Sequence, residues 1–259
     1  MSDQEYSFKR FNELFSKEKH IHILERRVSL ETQMDYFKHS EITRIEAKKI
    51  PFPDSQCEEL NKELYDELEI KPPYTEIDQE YIKCILSELA ISKNPLAYNF
   101  IKEFLKHTDD DEILDWGSLA LMECKINLAS DLTGEKQVYI STGLGGRGKS
   151  LRFCILLMSA DKKDLQDYEI QIVEREAYFA MNHAESEIEY IRNGQKYILI
   201  MALVSYKVNI KTLVENLIVE CNQYGNFLSK IFTITNVKEF TDEEIEEIIN
   251  KNEDKNGDN

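Results

Sequence analysis

Beyond residue 95 this 259-residue chain has no proline, and of its nine glycines four fall within residues 143–148. Turns in the second half must therefore come from other residues, except at that one glycine cluster. The five cysteines (Cys57, Cys84, Cys124, Cys154, Cys221) are odd in number and lack any C-x-x-C spacing. That excludes a disulfide framework and a thiolate zinc site as sequence expectations, and it fits a reducing compartment. The longest apolar run of the second half, YILIMALV (197–204), is too short to cross a bilayer. The opening MSDQEYSFKRF has no signal-peptide core. The expectation is a cytoplasmic protein without membrane contact. Positive charge is scarce too: 32 basic against 49 acidic side chains leave a net charge of −17. Such a field repels phosphate backbones and anionic lipid, which argues against nucleic acid as a partner.

What is present divides into two patterns. Residues 5–19 place Phe8, Phe11, Leu14 and Phe15 at helical spacing, whereas His22 to Val28 reads equally as strand or helix. After the PFPDS break, residues 57–68 resume a helix. Thr75 and Asp78 then make a capping-box pattern before a helix at 76–90, which would bury Tyr81, Cys84, Ile85 and Leu89. Helices at 94–107 and 113–130, joined by the acidic turn TDDDE, complete an all-helical N-terminal bundle over residues 1–132. Paired antiparallel helices of this kind resemble HEAT- or TPR-type packing.

From residue 133 the period changes. QVYIST (137–142) and LRFCILLMSA (151–160) are strand-like, and residues 163–184 form an amphipathic helix with Leu165, Tyr168, Ile172 and Phe179 inward. IEYIR-NG-QKYILIMALVSY reads as a hairpin with a type I′ turn at Asn193-Gly194. A helix at 210–224 and a strand at 227–237 follow. The order from residue 151 is βαββαβ, resembling a ferredoxin-like domain over 133–240 with one additional N-terminal strand. Thr241 and Glu244 cap an acidic helix that ends in a disordered tail within residues 241–259. The fold class expected is α+β.

GLGGRGKS (143–150) fits the phosphate-loop pattern G-x-x-x-x-G-K-[ST] at every position. That chemistry needs a helix directly behind the loop, so that free backbone N–H groups and the helix dipole meet the phosphates. The run Leu151 to Met158 is apolar at every position but Arg152, which predicts a buried strand. The expectation is therefore a basic, glycine-rich hairpin. Its candidate anion- or partner-binding residues are Gly143, Gly145, Gly146, Arg147, Gly148, Lys149, Ser150 and Arg152.

Other clusters have simpler structural explanations. His20-x-His22 lacks a third metal ligand. The acids around Asp110 suit a helix cap, the glutamates of ESEIEYI suit a solvent-facing strand, and Trp116 beside Gly117 suits close core packing. No catalytic or metal residues are assigned. The leading functional expectation is a non-enzymatic interaction or regulatory protein, with an unidentified protein partner or a homodimer and no cofactor. The alternative is a nucleotide- or phosphate-binding protein using ATP or GTP with magnesium, of the NTPase kind. A third reading is an RNA-associated factor.

Overall fold

The computed structural model describes residues 20–47, 58–60, 62, 74–160 and 163–255. The helices expected at 5–19 and, largely, at 57–68 lie outside them, as do residues 256–259. Within them the chain is mixed helix and sheet, α+β, and it divides into two compact units at the Ser141–Thr142 boundary.

The first unit contains β1 (Ile21–Ile23), α1 (Leu30–Ala47), α2 (Glu76–Ile91), α3 (Pro95–Phe104), α4 (Asp111–Thr133) and β2 (Val138–Ile140). Helix starts follow the sequence closely. Thr75 and Asp78 close a reciprocal capping box on α2, and Asn94 caps α3 with Pro95 at its first position. Asp110 caps α4, whose C-terminus closes on Gly134 at φ 66°. The core is built from Ile82, Ile85, Leu86 and Leu89 of α2, Ile101 and Phe104 of α3, and Ile113, Trp116 and Leu119 of α4. Tyr81, expected inside, is 44% exposed, because Ile82 and Leu86 take the inner stripe instead. The Leu105 side chain occupies the space a side chain at position 117 would need, so Gly117 permits the close packing beside Trp116.

This unit is not all-helical. Val138–Ile140 pairs in parallel with Ile21–Ile23; it does not join the sheet of the second unit, where the additional strand was expected. Main-chain pairing with the distant residues 21–23, invisible to local periodicity, decides this strand's place.

Under α1, the Tyr36 hydroxyl donates to Glu123 Oε2 at 2.5 Å, Ser40 Oγ donates to the same carboxylate at 2.8 Å, and Arg44 forms an ion pair with it. The Tyr139 hydroxyl is enclosed without a hydrogen bond of proper geometry, although Ser141 stands close by. Burial, with the Glu123 charge adding to it, pushes Tyr139 up from 10.0 to about 12 and Tyr36 well above its usual value. Above pH 10 the unfolded chain releases these protons while the native state keeps them. The native state then binds more protons, so stability falls as pH rises through the window from about 10 to 12. Chemical denaturation at successive pH values is expected to show this loss, and Tyr139→Phe is expected to reduce it, Tyr36 keeping its share. A pH-independent stability through that window would contradict the burial of these hydroxyls.

The second unit holds β3 (Gly146–Arg147), β4 (Ser150–Ser159), α5 (Asp167–His183), β5 (Glu187–Asn193), β6 (Tyr197–Ser205), α6 (Ile210–Asn222), β7 (Leu228–Thr235) and α7 (Asp242–Lys255). Its long strands lie in the order β7-β4-β6-β5, every neighbour antiparallel. Strand β6 runs along one whole edge of β4, so β3 and β7 share the other edge, β3 at Ser150–Leu151 and β7 at Cys154–Ser159.

Both faces of this sheet are covered, which is why β4 and β6 are continuously apolar rather than alternating. On one face Ile155, Leu157, Ile198, Ile200, Ala202 and Val204 meet α5 and α6. On the other, Cys154, Leu156, Met158, Leu199 and Met201 pack with Leu144 and with Ile245 of α7. Thr241 and Glu244 cap α7 reciprocally. This acidic helix runs to Lys255 and packs Ile245 on the second face of the sheet; the tail expected beyond it lies outside the described residues. Arg192 holds its start, donating to Asp242 Oδ1 at 2.9 Å and to the Phe240 carbonyl at 3.2 Å.

Two local expectations are corrected. Asn193 and Gly194 do not form a type I′ turn, since neither has a positive φ. Pairing closes at Asn193–Ile198, leaving a four-residue connection, and the Tyr197 ring occupies the space beside Gly194. In α5 the inner stripe is Val173, Ala177 and Met181, leaving Tyr168 58% and Phe179 61% exposed. The helix carries two apolar stripes, and periodicity alone selected the bulkier one.

Candidate functional site

A strand, Ser150–Ser159, follows GLGGRGKS directly. No helix N-terminus stands behind the loop, and its main chain is tied to neighbouring backbone at its start. Leu144 N–H donates to Asn236 O, Gly145 N–H to Thr142 O, and Arg152 N–H to Gly145 O, each at 3.0 Å. The glycines serve packing and turn geometry. A Cβ on Gly143 would lie 2.7 Å from the Val237 carbonyl carbon and clash harder with its oxygen. Gly145 and Gly148 have φ of 65° and 59°. Arg147 pairs with Ser150 across Gly148-Lys149, and of these two central residues only Gly148 has a positive φ, the pattern of a type II′ hairpin.

The candidate residues therefore separate. Gly143, Gly145 and Gly146 are buried, and Ser150 is half-buried in the strand. Arg152 is a clamp: its guanidinium holds Glu189 bidentately at 2.6 and 2.9 Å and donates to Leu144 O at 2.5 Å, with only 12% of the side chain exposed. Arg147 is exposed and ion-paired with Glu187. Gly148 and Lys149 form the exposed tip, and Lys149 makes no ion pair among the described residues. The glutamates of ESEIEYI thus act largely as partners for the loop arginines.

Two surfaces escaped the sequence reading. The first is the outward stripe of α5: its exposed residues from Tyr168 to His183 are Tyr168, Gln171, Arg175, Tyr178, Phe179, Asn182 and His183, without one carboxylate. Arg175 lies over the ring of Tyr224 at the end of α6 (5.2 Å), and Phe179 and His183 stack at 4.2 Å. The absence of acids on that stripe was a readable signal. The second surface is the turn after β6, where Tyr206 N–H donates to Lys149 O at 3.1 Å and sets Lys207 beside the hairpin tip. Only strand pairing reveals that neighbour.

No group of three or more His, Cys, Asp or Glu side chains suited to a metal occurs among the described residues, and no described helix is long and apolar enough to cross a membrane. Burial raises the Cys221 thiol to about 12, so at neutral pH it stays protonated and unreactive.

The architecture defines a two-unit α+β protein. No known family model matches the chain, and no curated protein matches it in sequence. Among solved structures it is similar to a C-terminal segment of the alpha subunit of aIF2 from Pyrococcus abyssi, at 10% identity over 80% of this chain and 98% of that one. The TM-score of 0.23 is too low for that likeness to bear on fold or function.

Proposed function

We propose that this is a non-enzymatic protein-interaction or regulatory protein, whose second unit is a ferredoxin-like βαββαβ docking module and whose first unit is a HEAT- or TPR-like helical bundle. The strand order β7-β4-β6-β5 with antiparallel neighbours supports the first comparison, and the capped helices α2, α3 and α4 around one core support the second. The observation that carries the functional reading is the outward stripe of α5. On a chain of net charge −17, a helix face rich in aromatics, with arginine and without carboxylates, has the composition of an interface centre. Exposed Val219 and Tyr224 of the α6 region extend it. The glycine-rich hairpin is a second candidate contact.

The test compares wild type with a Tyr168→Ser/Phe179→Ser variant by quantitative affinity capture and by sedimentation. Both side chains are more than half exposed, so the variant is expected to fold. A protein recovered about tenfold less on the variant, or a homodimer that the variant dissolves, supports the reading. Equal recovery and equal sedimentation overturn it. So does saturable binding of ATP or GTP with magnesium that Lys149→Ala abolishes.

A further inference from the structure

Residues 136–160 and 193–214 contain no aspartate or glutamate, in a chain with 49 of them. These two stretches supply β4 and β6, and they also supply the turns at one end of the sheet. There the Gly148-Lys149 tip lies against the turn after β6: Ser150 pairs with Ser205, and Tyr206 N–H donates to Lys149 O at 3.1 Å. Lys149 and Lys207 are both exposed, and Lys207 stands over the Tyr206 ring at 5.9 Å. Two further cations flank them with partners already in place, Arg147 on Glu187 and Lys211 near Glu215 at 3.9 Å. Helix α6 begins in the same turn with Asn209 as its cap, so its partial positive charge adds to that of the lysines.

We propose that this end of the sheet docks an acidic polypeptide segment of a partner protein, with Lys149 and Lys207 as the paired cations that receive its carboxylates. The proposal rests on the reading of the protein as an interaction module and gives the glycine-rich hairpin a partner of defined chemistry. The −17 charge of the chain does not forbid it, since at about 0.15 M salt fields are screened within about 8 Å and the local cations prevail. Nucleic acid fits less well. Its continuous phosphate charge needs a track of cations, whereas this pair is bounded by Glu187 and Glu215. The hairpin presents its lysine through a main-chain bond of the Lys149 carbonyl, so replacing the side chain leaves the turn intact.

The experiment is fluorescence anisotropy of the full chain with a labelled glutamate-rich peptide, at low and at physiological salt. Saturable binding is expected, weakened about tenfold in Lys149→Ala/Lys207→Ala. It should be unchanged in the control Lys102→Ala/Lys230→Ala, which alters net charge equally at exposed sites elsewhere. Lys149→Arg/Lys207→Arg is expected to retain binding, which separates lost charge from lost fold. No binding by wild type, equal loss in both alanine pairs, or tighter binding of a single-stranded RNA with the same lysine dependence would overturn the proposal. Failure of the α5 variant with intact peptide binding would remove the aromatic-face reading alone.

Discussion

Gly143→Ala is expected to destabilise the second unit by about 3 kcal/mol, the high end of what overpacking costs. The new methyl group would enter the Val237 carbonyl, a backbone group that cannot rotate aside. That carbonyl belongs to the segment between β7 and α7, and the neighbouring Asn236 carbonyl accepts from Leu144 N–H at 3.0 Å. Yielding to the methyl would therefore disturb the loop, the edge of the sheet and the approach to α7 together. Gly148 is the internal comparison: nothing lies within 4 Å of a Cβ there. Alanine at that site costs only the left-handed backbone, about 1 kcal/mol. Urea midpoints at unchanged m should rank the two variants in that order. Equal effects would mean that the loop is not seated against Val237.

Ile245→Asp is expected to be as severe, with a loss of about 3–5 kcal/mol and detachment of α7. Ile245 is fully buried between the helix and a sheet face made of Cys154, Leu156, Met158, Leu199 and Met201. A carboxylate there must either stay charged without a partner in an apolar setting or lift the helix off. Lifting it would bare four large apolar side chains and the Cys154 thiol. Thiol labelling followed by mass spectrometry should find Cys154 protected in wild type and labelled in the variant, with Cys221, beneath the opposite helical layer, still protected. Cys154 equally protected in both would show that α7 is not what covers that face. The ion pair of Lys238 with Glu244 and the hydrogen bonds of Arg192 are exposed or partly exposed and add little beside the buried isoleucine.

Much of the secondary structure was legible because its signals are local. Thr75 with Asp78, and Thr241 with Glu244, mark helix starts by the hydrogen bonds they form within a few residues. The apolar stretch after GLGGRGKS marked a strand, and that one element removes the helix on which a phosphate loop depends. What failed was non-local. Local pattern places Val138–Ile140 with the strand that follows, whereas its partner, Ile21–Ile23, lies more than a hundred residues away. Two apolar stripes on α5, one with Tyr168 and Phe179, look alike in sequence, and only the volume available under the helix selects Val173, Ala177 and Met181. Asn193-Gly194 failed as a turn for a related reason. The register between β5 and β6, set by the sheet and its bulge between Ile188 and Tyr190, closes the ladder at Asn193–Ile198.

The candidate site shows the same division. Residue order alone determined that the chain is acidic, that four of its nine glycines fall within 143–152 together with three cations and no carboxylate, and that this segment enters a strand. Only the tertiary structure decided which of those residues face solvent. It buries Gly143 against Val237, ties Arg152 to Glu189 and Arg147 to Glu187, and leaves Lys149 at the tip beside Lys207. The reason is physical: helix caps and strand propensity act over a few residues, whereas a cation's availability depends on which carboxylates the sheet register brings within about 4 Å of it.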